Sequence, residues 1–182
     1  MSGFEVVVVD EDGALLDPGS VGHLYFRDKT GRGIVYHNNP DATREAHLEP
    51  GVFTMGEMGY VDDDGYVFIT DRSKDMVVSG GVNLYPAEAE RVLSQHPHVA
   101  DVAVIGVPDK DLGEQMKALV VPVASDKPLD VEELLEFCQA SLAKLKCPKT
   151  VDFVEDLGRN AMGKVNKRKL RSPYWPTERT IG

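Results

Sequence analysis

The stretch that decides the fold is Asp71-Arg-Ser-Lys-Asp-Met-Val-Val-Ser-Gly-Gly-Val-Asn-Leu-Tyr-Pro86, which begins with four charged residues in five positions. A short β-prone run follows, and two glycines then supply a backbone that tolerates unusual dihedral angles. The segment before this stretch has the turn spacing of β-hairpins, whereas the segment after it alternates between helical and strand patterns. A dense group of charges between two unlike halves favours a hinge, and hinges often serve function.

Composition and charge limit the classes of function. The chain has 182 residues, 42% of them hydrophobic, and a net charge of −10, so it can form a globular core but is a poor ligand for nucleic acid. No apolar run approaches the roughly 20 residues that a membrane span needs, and we expect no signal peptide. The cysteines, Cys138 and Cys147, are too few for a disulfide scaffold and fit no zinc spacing, so we expect a reducing, cytoplasmic location.

Residues 1–72 are predicted to form a small, antiparallel, barrel-like β unit. Turn residues that end in glycine, at 10–13 and 62–65, separate β-prone runs. Residues 39–46 have the pattern of a short capped helix with proline near its start. The acidic triplet of the second turn lacks the alternating spacing and the distal Glu of a calcium loop, so we expect a turn and no metal site.

Residues 73–182 are predicted to form an α/β domain with a small sheet flanked by helices, so that the whole chain is of the α+β class. Cys138 falls on the apolar stripe of the second helix, which favours a core position over a nucleophile. A short helix is predicted in the basic segment after Asn160. The other predicted helices and strands of this half are residues 86–95, 99–107, 116–123, 130–145 and 149–154.

Three clusters contain residues that are suited to ligand binding or catalysis. In Thr54-Met-Gly-Glu57, glycine lets the backbone approach a ligand while a carboxylate can accept hydrogen bonds from ribose hydroxyls. In residues 71–75, an arginine can bind a phosphate through its fork of donors. In Arg159-Asn-Ala-Met-Gly-Lys164, a lysine can face negative charge that develops on a phosphoryl or carboxyl oxygen. Taken singly, the second also suits a solvated salt-bridged turn and the third a basic tail without a special role.

In this order and spacing the clusters resemble the end of the adenylate-forming superfamily, which contains acyl- and aryl-CoA synthetases, peptide-synthetase adenylation domains and luciferases. The similarity is greatest to the fatty acyl-CoA ligase branch and covers nearly the whole chain. The resemblance implies that the protein's ligands are a carboxylic acid, ATP or AMP, coenzyme A, and Mg²⁺ bound with ATP. It implies no nucleic-acid partner and no transmembrane segment.

The resemblance also implies roles for residues near the charged stretch. Glu57 would bind the ribose hydroxyls of ATP or of the acyl-adenylate, although the family usually has Asp there and one residue fewer after the threonine. Arg72 would contact the nucleotide. Lys74 would be the pivot about which a mobile C-terminal domain rotates.

Further along the chain, the resemblance implies a coenzyme A site and a catalytic residue. Ser79, Gly80 and Gly81 match the strand and turn that meet the pantetheine arm of coenzyme A. Lys164 matches the catalytic lysine that orients the carboxylate and the α-phosphate during adenylation. The preceding Leu157-Gly-Arg159 departs from the family's Leu-Pro-Arg, a change expected to loosen the loop while leaving the lysine in place.

Two motifs of the family do not occur in the sequence: the Ser/Thr/Gly-rich phosphate loop and the Tyr-Gly-x-Thr-Glu segment. Residues 1–72 therefore correspond to the last subdomain of the AMP-binding N-terminal region, and residues 73–182 to the mobile C-terminal domain. We expect a C-terminal fragment of an ATP-dependent acyl-CoA ligase that cannot form an acyl-adenylate unaided. The alternatives are a non-catalytic nucleotide-binding, CoA-binding or interaction module, and a fragment of an aryl-CoA or carrier-protein ligase. The acyl substrate and the formation of a homodimer stay open.

Overall fold

The charged stretch at residues 71–75 contains the boundary between two structural units, Met1–Lys74 and Asp75–Gly182. A computed structural model describes residues 3–124 and 128–176 of the chain. The boundary predicted from the sequence, between residues 72 and 73, lies two residues earlier than the observed one. A 3₁₀ turn, Ser73–Asp75, carries the chain from the first unit into the second.

The first unit is an antiparallel sheet with one short helix. Its elements are β1 (Phe4–Val9), β2 (Gly22–Asp28), α1 (Pro40–Glu45), β3 (His47–Glu49), β4 (Val52–Phe53), β5 (Glu57–Val61) and β6 (Val67–Arg72). β2 lies at the centre, because β1 pairs along one of its edges while β4 and β5 share the other edge. β3 continues the sheet beyond β4, and β6 continues it beyond β5.

The predicted small antiparallel β unit is confirmed, but its sheet is open and does not close into a barrel. Within residues 3–124 and 128–176, no strand pairing joins β1 to β6 or β3. β3 and β4 contain only three and two residues, which is too short to complete the hydrogen-bonded ring of a barrel. β6 is consequently an edge strand, and its large apolar side chains, from Val67 to Ile69, are exposed.

The turn and the short helix that the sequence predicts in this unit are confirmed. Gly65 has a φ of +82°, and Asp62 Oδ1 accepts hydrogen bonds from the amides of Asp64 and Tyr66 at 3.1 and 2.8 Å. The acidic triplet therefore serves the turn itself. α1 begins after Asn39, whose side chain accepts a hydrogen bond from the amide of the third residue on.

The second unit is a five-stranded mixed sheet with helices on both faces. Its elements are β7 (Val77–Ser79), β8 (Val82–Leu84), α2 (Pro86–Leu93), β9 (Val99–Asp109), β10 (Gly113–Pro122), α3 (Val131–Gln139), β11 (Thr150–Phe153) and α4 (Lys167–Arg171). β10 is central: antiparallel β9 covers one edge, while antiparallel β7 and parallel β11 share the other. The prediction of a small sheet flanked by helices is confirmed.

Alternate residues of β9 and β10 point to two apolar cores, as the two-residue period of a strand requires. On one face, Val104 and Ala118 pack with α2 and α3. On the other face, Ile105 and Leu119 pack with Leu157 and with the segment that contains α4. The segment around Lys164 therefore belongs to the second face.

The second predicted helix is shorter than the sequence indicated. α3 ends at Gln139 instead of continuing to residue 145, because Ala143 adopts an extended conformation with a ψ of 142°. Leu142 still packs against the first core from the turn that follows, so its helical spacing misled the prediction. Cys138 is fully buried in that core, as predicted. Burial, and then the neighbouring Cys147, raise the pKa of its thiol to about 12, which disfavours a nucleophilic thiolate.

Candidate functional site

Glu57 and Arg72 face each other across two strands of the first unit. Glu57 opens β5 and is the register partner of Arg72, which closes β6, so their side chains project from the same face of the sheet. Glu57 Oε2 is buried and lacks a hydrogen-bond partner among the described residues. Because a buried acceptor without a partner costs free energy, this carboxylate suits a ligand that donates hydrogen bonds, and the exposed Arg72 beside it suits an anion.

A main-chain hydrogen bond connects the residue before Glu57 to the residue after Arg72, close to the boundary between the units. The carbonyl of Gly56, directly before Glu57, accepts a hydrogen bond from the amide of Ser73 at 2.8 Å. Lys74 follows in the 3₁₀ turn, with an exposed side chain. A single turn of 3₁₀ helix between two compact units is a typical position for a hinge, because few backbone bonds need to change.

Gly80 and Gly81 form a two-residue hairpin loop between β7 and β8. Their φ angles are +58° and +80°, and Ser79 pairs with Val82 across the loop, which is the geometry of a type I′ turn. Gly80 donates a hydrogen bond to the carbonyl of Leu112 at 2.9 Å. The loop therefore lies beside the turn that connects β9 to β10.

A compact loop presents Lys164. The Asn160 side chain accepts hydrogen bonds from the amides of Met162 and Lys164 at 2.9 and 3.0 Å, and the Asn160 amide donates to the carbonyl of Lys164 at 3.0 Å. Gly163 has a φ of +75°, which a residue without a side chain adopts readily. The Lys164 side chain is exposed.

Arg159 joins this loop to β9. Its Nε and Nη2 atoms donate to Oδ2 and Oδ1 of Asp101, each at 2.6 Å, and its Nη1 atom donates to the carbonyl of Gly163 at 2.6 Å. The hydrogen bond from Arg159 holds the pKa of the Asp101 carboxyl below its usual range, against the opposing effect of burial. The sequence did not assign this partner to Arg159. The available signal was the carboxylate of Asp101, directly before the run from Val102 to Val107, which is apolar apart from Gly106.

The structure brings the predicted residues together only in part. Glu57 and Arg72 are neighbours, and they belong to the first unit. The loop of Lys164 is tied to Asp101, near the start of β9, whereas the Gly80 turn lies at the far end of the same strand, beside Asp109 and its register partner Gly113. At roughly 3.3 Å per residue, Asp101 and Asp109 are about 25 Å apart along β9.

Comparison with known proteins shows the family in which this fold occurs. Residues 88–164 match the family described as AMP-binding enzyme C-terminal domain. The chain is 40% identical over 168 residues to the fatty acid–[acyl-carrier-protein] ligase ScoC of Streptomyces coeruleorubidus, covering 92% of this chain and 32% of that protein. It is 46% identical over 142 residues to the long-chain-fatty-acid–CoA ligase FadD13 of Mycobacterium tuberculosis, covering 78% of this chain and 28% of that protein.

A solved structure gives the same result for the fold. The o-succinylbenzoate CoA synthetase MenE of Bacillus subtilis, in complex with the acyl-adenylate intermediate OSB-AMP, superposes with a TM-score of 0.83 at 32% identity, covering 94% of this chain and 34% of that chain. The chain thus spans about a third of the length of the relatives it matches. It belongs to the adenylate-forming, AMP-binding superfamily and corresponds to its C-terminal portion.

Proposed function

We propose that this chain is the C-terminal part of an ATP-dependent acyl-CoA ligase, which converts a carboxylic acid, ATP and coenzyme A into acyl-CoA, AMP and pyrophosphate through an acyl-adenylate. The observation that carries the proposal is the position of two functional loops at opposite ends of β9. A lysine suited to adenylation and a glycine turn suited to a pantetheine chain belong to one unit, which follows the hinge at Lys74. Two loops about 25 Å apart can serve one active site only in turn.

In the first half-reaction, the carboxylate of the acid attacks the α-phosphate of ATP, and pyrophosphate leaves. Lys164 faces the negative charge that develops on the phosphoryl and carboxyl oxygens and stabilises it. Glu57 accepts hydrogen bonds from the ribose hydroxyls through its unpartnered oxygen. Arg72, on the neighbouring strand, binds the nucleotide.

In the second half-reaction, the unit after Lys74 rotates, withdraws Lys164 and brings the loop of Gly80 and Gly81 to the acyl-adenylate. The coenzyme A thiol loses its proton and its sulfur attacks the acyl carbon, so that the carbon–sulfur bond forms as the bond to AMP breaks. Positive φ angles and the absence of side chains keep the turn narrow, and Ser79 precedes it at the end of β7. One active site can then catalyse both steps.

The metal requirement of this reaction belongs to the substrate. In the ranges 3–124 and 128–176, no group of three His, Cys, Asp or Glu side chains is arranged to hold a metal ion. We infer that Mg²⁺ reaches the active site bound to the phosphates of ATP, since this ion is usually held through substrate phosphates.

The class of acid is proposed from the relatives. The names of ScoC and FadD13 both specify fatty acids, which supports a fatty acid here, whereas the structure of MenE contains an o-succinylbenzoyl group, which supports an aryl acid. Coenzyme A and a carrier protein both present a pantetheine thiol, so the glycine turn suits either. A non-catalytic module is not favoured, because the relatives are ligases and the chain has a lysine at position 164.

Location and assembly are proposals of the same kind. Both cysteines are free and buried, which supports a reducing, cytoplasmic compartment. Across the part of the chain that the structure describes, every helix is too short to cross a lipid bilayer. A homodimer stays a prediction, and sedimentation of the purified protein would test it.

The test separates the two half-reactions in the full-length enzyme that contains this chain, called the parent enzyme below. Lys164→Ala should lower the rate of pyrophosphate release by about 100-fold or more, because a preorganised charge is lost. Formation of the thioester from supplied acyl-AMP should change by less than about twofold. Lys169→Ala, which removes an exposed lysine of α4, is the matched control. Equal losses in both half-reactions would contradict the assignment of Lys164.

The 182-residue chain gives a second test. It contains neither the phosphate loop nor the Tyr-Gly-x-Thr-Glu segment, so we expect it to release no pyrophosphate from ATP and a fatty acid above the level of the Lys164→Ala chain. The measurement is a coupled pyrophosphate assay with the parent enzyme as positive control. Turnover by the isolated chain would show that adenylation does not need the missing region.

A further inference from the structure

The hydrogen bonds of Arg159 connect the Lys164 loop to the sheet, a role separate from the shaping of the loop itself. Asn160 shapes the loop, since its side chain accepts hydrogen bonds from the amides of Met162 and Lys164 and its own amide donates to the carbonyl of Lys164. Arg159 instead spans the loop and the sheet, donating to the carbonyl of Gly163 on one side and to both carboxylate oxygens of Asp101 on the other. The orientation of the loop relative to β9 therefore depends on this arginine.

The segments on either side of the loop are also attached to the second unit. Before it, Leu157 is buried in the second core. After it, Lys167 Nζ lies 2.8 Å from Glu90 Oε1, and the same carboxylate accepts a hydrogen bond from the amide of Val104. Between these two attached flanks, Arg159 connects the carbonyl of Gly163, directly before Lys164, to Asp101 of the sheet.

We propose that Arg159, held by Asp101, is the positioning residue that orients Lys164 for adenylation; this inference rests on the proposed function. A charged group that stabilises a developing oxyanion must be held at the position where the negative charge forms. Small displacements of that group lower the rate constant of the chemical step strongly. The exposed Lys164 side chain is long and flexible. A fixed carbonyl at Gly163 restricts the backbone from which that side chain extends.

The geometry separates this role from direct binding of a phosphate by Arg159. The bidentate pair with Asp101 occupies one edge of the Arg159 guanidinium, through Nε and Nη2, and the carboxylate balances the charge of the arginine. The Nη1 atom donates to a main-chain oxygen. The arginine therefore acts through the loop. Exposed ion pairs usually contribute little to stability, but here the fork geometry, together with the third bond, sets an orientation.

The main experiment uses the parent enzyme and four variants: Arg159→Ala, Arg159→Lys, Asp101→Asn and the double variant Arg159→Ala/Asp101→Asn. Arg159→Ala should lower the rate constant of adenylation by about 10- to 100-fold while changing the KM for ATP by less than about threefold. Arg159→Lys keeps the positive charge but not the two parallel donors of the guanidinium, so its rate constant of adenylation should fall by about tenfold. Thioester formation from supplied acyl-AMP should stay near the unmodified rate in all four.

The double variant tests whether the two residues act as one unit. If Asp101 acts through Arg159, the double variant should be no slower than Arg159→Ala alone, which is the non-additive result of a double-mutant cycle. Asp156→Asn and Lys169→Ala remove one exposed charge each, close in sequence to the site. They are the matched controls and should leave both half-reactions unchanged.

A second readout uses the 182-residue chain and does not depend on turnover. Hydrogen exchange of the amides of Met162 and Lys164 should become about tenfold faster in Arg159→Lys, because the loop opens locally. Exchange in the central strand β10 should remain as in the unmodified chain, which shows that the variant is folded. Asp156→Asn should leave the exchange of both loop amides unchanged.

The outcomes separate the inference from the proposed function. If Lys164→Ala abolishes adenylation but Arg159→Lys and Asp101→Asn are as active as the controls, the positioning role is wrong and the proposed function stands. If the Arg159 variants accelerate loop exchange but Lys164→Ala leaves adenylation intact, the proposed function fails. If Arg159→Lys retains full activity while Arg159→Ala does not, the charge itself matters and Arg159 binds the substrate directly.

Discussion

Arg171 of α4 lies close to Asp75, with 3.8 Å between Nη1 and Oδ1, and both side chains are largely buried, at 13% and 15% exposed. Asp75 is the last charged residue of the stretch at the boundary, and α4 is the helix that follows the Lys164 loop. The start and the end of the second unit are thus joined directly. The helix that follows the Lys164 loop is therefore attached to the first residue of this unit.

Asp75→Asn should destabilise the second unit. The variant replaces the carboxylate that lies 3.8 Å from the largely buried guanidinium of Arg171 with a neutral amide. The loss of this charge pair should cost about 1–3 kcal/mol of the free energy of unfolding. Urea unfolding of the 182-residue chain measures the change in the transition of this unit. Asp63→Asn, at an exposed turn position, should stay within about 0.5 kcal/mol. Equal midpoints for the two variants would mean that the pair with Arg171 contributes nothing.

Lys74→Pro in the parent enzyme should impair the thioester half-reaction more than adenylation. Proline fixes φ and also restricts the preceding residue, Ser73, to extended conformations, so the 3₁₀ turn loses the freedom that rotation needs. Lys74→Ala keeps the backbone free and is the control. We expect thioester formation from acyl-AMP to fall by about tenfold or more in the proline variant. A loss shared equally between the half-reactions would argue against a pivot at this position.

Gly81→Asn should show whether the turn needs glycine for its positive φ angle or because a ligand must pass where a side chain would lie. Asparagine tolerates positive φ, and no atom lies within 4 Å of the place where a Cβ would be added at Gly81. The hairpin should therefore keep its fold, with a loss of stability of at most about 1–2 kcal/mol. In the parent enzyme, the new side chain should slow thioester formation while adenylation is retained. Normal rates in both half-reactions would exclude the turn from the pantetheine path.

The hydroxyl of Tyr174 should lose its proton at a higher pH than that of an ordinary tyrosine. Burial, and then its 2.6 Å hydrogen bond to Asp152, raise its pKa to about 12. The folded state therefore keeps the neutral hydroxyl, and this contribution to stability is full below pH about 10 and is lost as the pH rises toward 12. Ultraviolet titration measures the phenolate. Tyr174→Phe should remove the late phase, and Tyr66→Phe, at an exposed position, should not.

The sequence predicts those parts of the fold that local chemistry determines. Asp62 and Gly65 identify a turn because their own side-chain and backbone preferences create it. Cys138 could be placed in the core from helical spacing alone. The end of α3 could not be placed in this way. Residues 140–147 contain no glycine or proline, and the chain leaves the helix while Leu142 still packs against the core and Cys147 is buried.

In the candidate site, too, local patterns could be predicted from the sequence, whereas contacts between distant residues could not. The clusters of Glu57, Arg72 and Lys164 are visible as local patterns, and their likeness to a family gave them expected roles. The pairing of Arg159 with Asp101 is not visible, because 58 residues separate the two and only the register of β9 within the sheet brings them together. The register of Glu57 with Arg72 is likewise a product of the sheet, including the irregularity between Met58 and Gly59.

The edge strand β6 has a practical consequence for work with the 182-residue chain alone. Val67, Phe68 and Ile69 are exposed on a strand whose outer backbone edge has no pairing within residues 3–124 and 128–176. Such an edge can add a strand from another molecule. Self-association of the isolated chain at high concentration would then arise from this edge and would say little about how subunits assemble in the cell. Dilution series and mild denaturant are therefore the first precautions in any binding measurement.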